Sequence, residues 1–175
     1  MTSKLLLAGA AALAFAAGPA LAHDGPHPSD AEIAHIAYTA GQLDVAAGKQ
    51  ALAKSHNQAV RAFAETMVRD HAAVNDQALA LVKKLGVTPQ SNATSEALSA
   101  QAAAEAKRLE ALSGAAFDKA YVANEVAYHR TVNGALDKTL IPGALNGELK
   151  SLLETGLALF EEHQSHAEHL AQTLR

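Results

Sequence analysis

His71 stands where an apolar residue is expected. In the stretch Phe63 to Leu85 (FAETMVRDHAAVNDQALALVKKL), Ala64, Met67, His71, Val74, Ala78, Leu81 and Leu85 recur at steps of 3 and 4. That is the spacing of residues facing the core of a helical bundle. All are apolar except His71, and Asp70 flanks it on the edge of the seam. The same replacement recurs in two later stretches. Val122, Glu125, His129, Val132 and Leu136 step by 3, 4, 3 and 4, and Glu125 and His129 are four apart, close enough on a helix for their side chains to meet. Leu149, Leu153, Gly156, Phe160, His163, Ala167, Leu170 and Leu174 form another seam with one histidine. Asp44 is the only acid on the seam Ile33, Ala37, Ala40, Asp44, Ala47 and Ala51; it falls at the edge, where core and solvent are equally open to it.

Imidazoles and carboxylates brought inward from several helices have two uses. They can ligate a transition metal, with His71, His129 and His163 as the nitrogen ligands, Glu125 or Asp70 as the carboxylate, and Asp44 as a further candidate. The metals that suit such a set are Fe, Cu, Mn or Zn. Alternatively the same groups satisfy one another as a buried polar network with no metal. Di-iron bundles draw Glu from two helices and Glu-x-x-His from two others; no helix is read here as carrying Glu-x-x-His, and the second offers Asp70 and His71 as direct neighbours. His163, His166 and His169, each three apart with Glu162 four before His166, make an exposed, adventitious chelating face. No G-x-S-x-G elbow and no glycine-rich phosphate loop is present, which argues against a hydrolase or nucleotide enzyme. No catalytic residue is nominated.

Five helices must position these groups. Ser29 with Glu32 makes a capping box that opens the first. Ser55-His56-Asn57 breaks the chain and Asn57 caps the second, so the first two helices are antiparallel neighbours. Gly86 and Pro89 end the second helix. Thr94 or Ser95 caps a short third helix to about Leu112, thinly apolar and suited to a crossover. A fourth runs from about Ala115 to Leu140 and stops at Ile141-Pro142-Gly143. The last spans Asn146 to about Thr173. Two level counts disagree. From the end where the fourth helix begins, Glu125 is about 11 residues up and His163 about 10, at a rise of about 1.5 Å each. From the Pro142 end, His129 and His163 differ by about six residues or more, on the order of 10 Å.

Residues 1–22 have the form of a signal peptide: Lys4, an apolar run from Leu5 to Ala17, a Gly18-Pro19 break and an Ala20-Leu21-Ala22 cleavage site. No cysteine follows, so no lipoprotein anchor is available. Cleavage after Ala22 leaves 153 residues, enough for one core, and predicts a periplasmic or secreted protein without an integral membrane segment. Residues 23–28 (HDGPHP) form a flexible lead, in which the new terminus at His23, with His27, is a secondary Cu(II) chelate. Residues 29–175 are the helical bundle domain. The formal charge of −4, without a basic stripe, argues against nucleic acid. With no cysteine in the chain there is neither a disulfide framework nor a thiolate site. Partners are left to a homo-oligomer or another envelope protein.

Three segments resemble the domain-of-unknown-function 4142 family, exported bacterial proteins classed with ferritin-like bundles. They are F-A-x-x-M-V-x-D-H at Phe63 to His71, F-D-x-x-Y-V-x-x-x-V-x-x-H at Phe117 to His129, and H-x-x-x-A-x-x-L at His163 to Leu170. They occur in the family's order and cover most of the mature chain. The resemblance implies an all-α fold, a ferritin-like four-helix bundle with an additional short crossover helix, and brings no activity. Asp44 stands where family members tend to carry Glu, a shorter arm. Two functions are therefore expected as alternatives: an exported bundle that binds a transition metal through core His and carboxylate groups, or a metal-free envelope or stress-related module with a buried His–carboxylate network.

Overall fold

The computed structural model describes residues 27–174. Residues 1–22, read from the sequence as a signal peptide, and His23 lie outside the described residues. Helix α1 spans Asp30–Lys54, α2 Gln58–Leu85, α3 Ala93–Glu110, α4 Gly114–Ala135, and α6 Gly147–Thr173. Between the last two, Leu136–Leu140 forms a wide π turn and Ile141–Gly143 a short turn, α5. There is no strand among the described residues, and no helix among them is long and apolar enough to cross a membrane.

The caps follow from residue chemistry. Ser29 accepts from the Glu32 amide while Glu32 reaches back to the Ser29 amide, the reciprocal box that satisfies two otherwise orphaned donors. Asn57 takes the Ala59 and Val60 amides. Gly86, at φ 65°, ends α2 in the left-handed conformation that glycine adopts without steric cost. The third helix starts earlier than expected. Asn92, rather than Thr94 or Ser95, is its cap, and Ser95 instead closes the box from the third position.

Four long helices pack as two antiparallel pairs, α1 with α2 and α4 with α6. Helix α3 crosses along α1 from one end of the bundle to the other. At one end the Asn92 side chain reaches the Glu32 carbonyl; at the other, Lys54 bonds the Glu110 carbonyl. Asp30 ties the α5–α6 connection to the start of α1, its two oxygens accepting the Leu145 and Asn146 amides at 2.8 and 2.9 Å.

The chain does not stop at Pro142. Its ring would collide with the carbonyl four residues back in a regular helix. Here the turn before it is widened, and the Ile141 amide bonds the Leu136 carbonyl five residues back. Helical winding therefore continues to Gly143. His129 lies 14 residues before Gly143 and His163 lies 16 after Gly147, so the two are nearly level, and the larger offset counted from Leu140 disappears.

The apolar core is in two parts. One gathers Val60, Phe63, Met67, Phe117, Tyr121 and Leu170. The other gathers Ile33, Ile36, Leu136, Leu140, Leu153 and Phe160. Between them lies a layer of buried polar groups.

Candidate metal centre

Each long helix contributes to that layer: Asp44 from α1, His71 from α2, Glu125 and His129 from α4, and His163 from α6. All five are under 5% exposed. The ring centroids of the three histidines form a triangle, His71 to His129 at 5.6 Å, His71 to His163 at 5.3 Å and His129 to His163 at 5.7 Å. One nitrogen from each ring lies within 4.8 Å of the others, and Asp44, Glu125 and His129 form a second such group that shares His129.

Asp44 turns inward, which its position at the seam edge left open. Its Oδ2 lies 3.3 Å from His71 Nε2 and 3.5 Å from His129 Nε2. Neither approach has hydrogen-bond geometry, and both Asp44 oxygens, both His71 nitrogens and His129 Nε2 are buried without a partner.

The remaining nitrogens are held. His129 Nδ1 is 3.0 Å from the Glu125 carbonyl one turn earlier. A carbonyl only accepts, so Nδ1 carries the proton and Nε2 presents its lone pair to the layer. Glu125 and His129 do meet, but through the backbone; the carboxylate oxygen is 3.7 Å from Nδ1, outside hydrogen-bond range. His163 Nε2 is 3.0 Å from Asp70 Oδ2, which leaves Nδ1 buried and unpartnered on the inner side. Asp70 is gripped in turn by the Arg69 guanidinium through two bonds of 2.7 and 3.1 Å. Asp70 thus sits behind His163, not beside its neighbour His71. Successive residues on a helix diverge by about 100°, so the sequence pair Asp70-His71 is no spatial pair. His71 is fixed by packing: its ring stacks on Phe160 at 4.4 Å, 10° from parallel.

The electrostatics follow from burial. Loss of water pushes the Asp44 carboxyl up to about 7, and burial, with Asp44 nearby, raises Glu125 well above the usual carboxylate range. Burial, reinforced by the neighbouring rings, takes His71 down to about 2. Burial also lowers His129 to about 4, against its bond to the Glu125 carbonyl, and it lowers His163 against the pull of Asp70. Asp70 itself stays low, chiefly because Arg69 bonds it. At neutral pH the three rings are therefore uncharged, the form in which imidazole ligates a metal.

Two members of the layer escaped the sequence reading. Asn75, buried with an unpartnered Nδ2, lies four residues after His71, and that spacing was the available signal. The inward face of α2 takes in Asn75 as well as the half-buried Val74. Tyr121, four before Glu125, is fully buried with its hydroxyl unpartnered. The Glu-x-x-His spacing does occur, at Glu32 and His35, but away from this layer: Glu32 belongs to the Ser29 cap and His35 contacts Thr39. His166 and His169 are exposed.

A family described as a domain of unknown function, DUF4142, matches residues 13–170. The chain belongs to the DUF4142 family. No curated protein sequence matches it. The fold is similar to the crystal structure of a Streptomyces coelicolor DUF305 protein thought to be secreted, with a TM-score of 0.71. Identity to that protein is 16%, over 83% of this chain and 93% of that one, so the likeness concerns the fold. In this DUF4142 chain the three segments Phe63 to His71, Phe117 to His129 and His163 to Leu170 each deliver one ring of the triangle.

Proposed function

We propose that this DUF4142 protein is an exported ferritin-like bundle that binds one divalent transition-metal ion in its polar layer. His71, His129 and His163 supply the nitrogens and Asp44 a carboxylate. The observation that carries this reading is the set of buried, unpartnered atoms converging from all four long helices: Asp44 Oδ1 and Oδ2, Glu125 Oε2, His129 Nε2, His163 Nδ1 and both nitrogens of His71. Buried polar groups in folded proteins are nearly always paired, and a cation would pair one nitrogen of each ring with the carboxylate oxygens. The outward nitrogens of His129 and His163 are bonded to a carbonyl and a carboxylate, as is usual for ligating histidines. Three neutral imidazoles with carboxylate suit Zn, Cu or Fe, and Mn where carboxylate dominates.

Ferritin-like folds have two antiparallel helix pairs joined by one long crossover, and the path of α3 supports that placement. Export rests on the signal-peptide features of residues 1–22; mass spectrometry of the exported protein should find His23 at its N-terminus.

The metal-free network is the second reading. It is favoured by the raised Asp44 and Glu125 carboxyls, which can stay protonated and neutral beside neutral rings. Elemental analysis of the protein purified without chelator separates the two. One equivalent of a transition metal supports the first reading. A protein that stays metal-free after incubation with Zn, Cu, Fe and Mn salts leaves only the second.

Asp70 has a distinct place in the metal reading, as the group that orients His163 rather than as a ligand. Asp70→Ala is expected to keep all three ring nitrogens and to lose about 10–100-fold in metal affinity, the usual cost of an outer-shell partner. Competition against a chelator of known affinity measures it. Unchanged affinity would remove Asp70 from the site.

A further inference from the structure

The apolar half of the bundle around Ile33, Leu136 and Leu153 is not filled. Small residues face one another there from three helices, among them Ala37 and Gly41 on α1, Ala78 on α2 and Gly156 on α6. With the π turn beside them they leave a cavity of about 750 Å³. Protein interiors rarely leave space on this scale. Ligand pockets, by contrast, run to roughly 300–1,000 Å³, with apolar walls and a few placed polar groups.

Polar side chains also line this cavity, Glu32, Asn92 and Tyr128 among them. His71 and His129 line it from the polar layer, and Asn75 lies one turn along from His71. Asn75 is 3% exposed and its Nδ2 donor has no partner. Its carboxamide occupies the space that a side chain at position 41 would need: a Cβ on Gly41 would fall 2.3 Å from Asn75 Oδ1. At the mouth, Lys138 is exposed on the π turn.

We infer that this cavity binds a monocarboxylate with a long apolar tail, its carboxylate directed inward to Asn75 and to a metal ion held by His71 and His129. The walls are mostly apolar and suit a hydrocarbon chain. The inner end offers an unused N–H and a cation position, both of which call for an oxygen acceptor and repel a cationic head. The inference rests on the metal reading for the head group alone; the tail and the Asn75 contact stand without it.

Calorimetric titration of the purified protein tests this, using laurate, dodecanol and dodecylamine below their micelle concentrations. Each is titrated into metal-loaded and into chelator-treated protein. Laurate is expected to bind the loaded protein about tenfold or more tighter than dodecanol, with dodecylamine weakest. Asn75→Leu should weaken laurate more than dodecanol, whose neutral hydroxyl is the weaker acceptor. Ala37→Phe, which fills the cavity, should abolish laurate binding while metal uptake persists. If that variant does not fold, Ala78→Phe fills the cavity from α2. A protein that takes up no metal but binds laurate in a way lost in the filled variant keeps the cavity and overturns the metal reading. A metal-loaded protein that ignores laurate, or a filled variant that binds it as well as wild type, overturns the inference. Dodecylamine binding equal to laurate overturns the head-group assignment.

Discussion

Adding a ligated metal to the chelator-treated protein raises its melting temperature, and His129→Leu removes that rise. A ligand that binds only the folded state stabilises it by about 2.7 kcal/mol at a hundredfold excess over its dissociation constant. For a helical domain of this size that is a shift of several degrees. His129 Nε2 faces both His71 and Asp44, so its loss should cost more affinity than the roughly 10–100-fold expected from an outer-shell change. Without metal the same variant behaves differently. Leucine fills similar volume and removes a buried, unpartnered nitrogen, so the metal-free variant is expected to be as stable as wild type or more stable. A metal-free network reverses both outcomes: no metal moves the wild-type melting temperature, and His129→Leu is destabilising because Asp44 loses a neighbour. Thermal melts of wild type and variant, with and without Zn, Cu, Fe and Mn, decide between them.

The metal-free protein is expected to be most stable near pH 6.5 and to lose stability on both sides. His71 and His129 titrate near 6.5 when unfolded but at about 2 and about 4 in the folded chain, and His163 is lowered as well. Their contribution is complete above the unfolded value and is lost as pH falls towards the folded ones. Asp44 has the opposite sign. Its folded value of about 7 lies above the ordinary 3.8, so its contribution is complete below the unfolded value and is lost as pH rises through 7. Glu125 follows Asp44.

Between about pH 4 and 6.5 the three rings and two carboxyls oppose each other. His71 and His129 balance Asp44 and Glu125 there, and the lowered His163 leaves a net loss of stability as pH falls. Below about pH 4 the carboxyls are protonated in both states and His129 protonates in the folded chain as well, so His71 carries the remaining loss towards acid. Above pH 6.5 only the carboxyls act, and stability declines with alkali. Bound metal reverses that alkaline limb, because it needs Asp44 ionised and is helped as the proton leaves. Urea unfolding across pH 4 to 9, in chelator and in metal, reads both curves. A metal-free protein whose stability is flat across that range would show that the layer does not hold its groups neutral.

Helix placement was legible because it depends on neighbours in sequence. Ser29 and Glu32, Asn57, Gly86 and Asn146 act over one turn, and the alternation of apolar residues at steps of three and four marks the buried face whatever packs on it. The same periodicity picked out His71, Glu125, His129 and His163, since each replaces a residue whose burial is already implied. It missed Asn75 in α2, which is buried beside the half-buried Val74. It also stopped the helical winding at Leu140 rather than Gly143, because the π turn that admits Pro142 has no local signature.

What each group touches was decided only by the tertiary structure. A seam gives direction but no height, and the relative height of His129 and His163 depends on how many residues wind between them, which the π turn and α5 set. Asp44 lay at the edge of its stripe, and only the approach of α2 and α4 determined that it faces them. Asp70 and His71 are adjacent in the chain but diverge around the helix, so Asp70 serves the ring from α6 while His71 meets the acid from α1. Side-chain partnership across a bundle is a property of three or four helices at once, and no single stretch of sequence contains it.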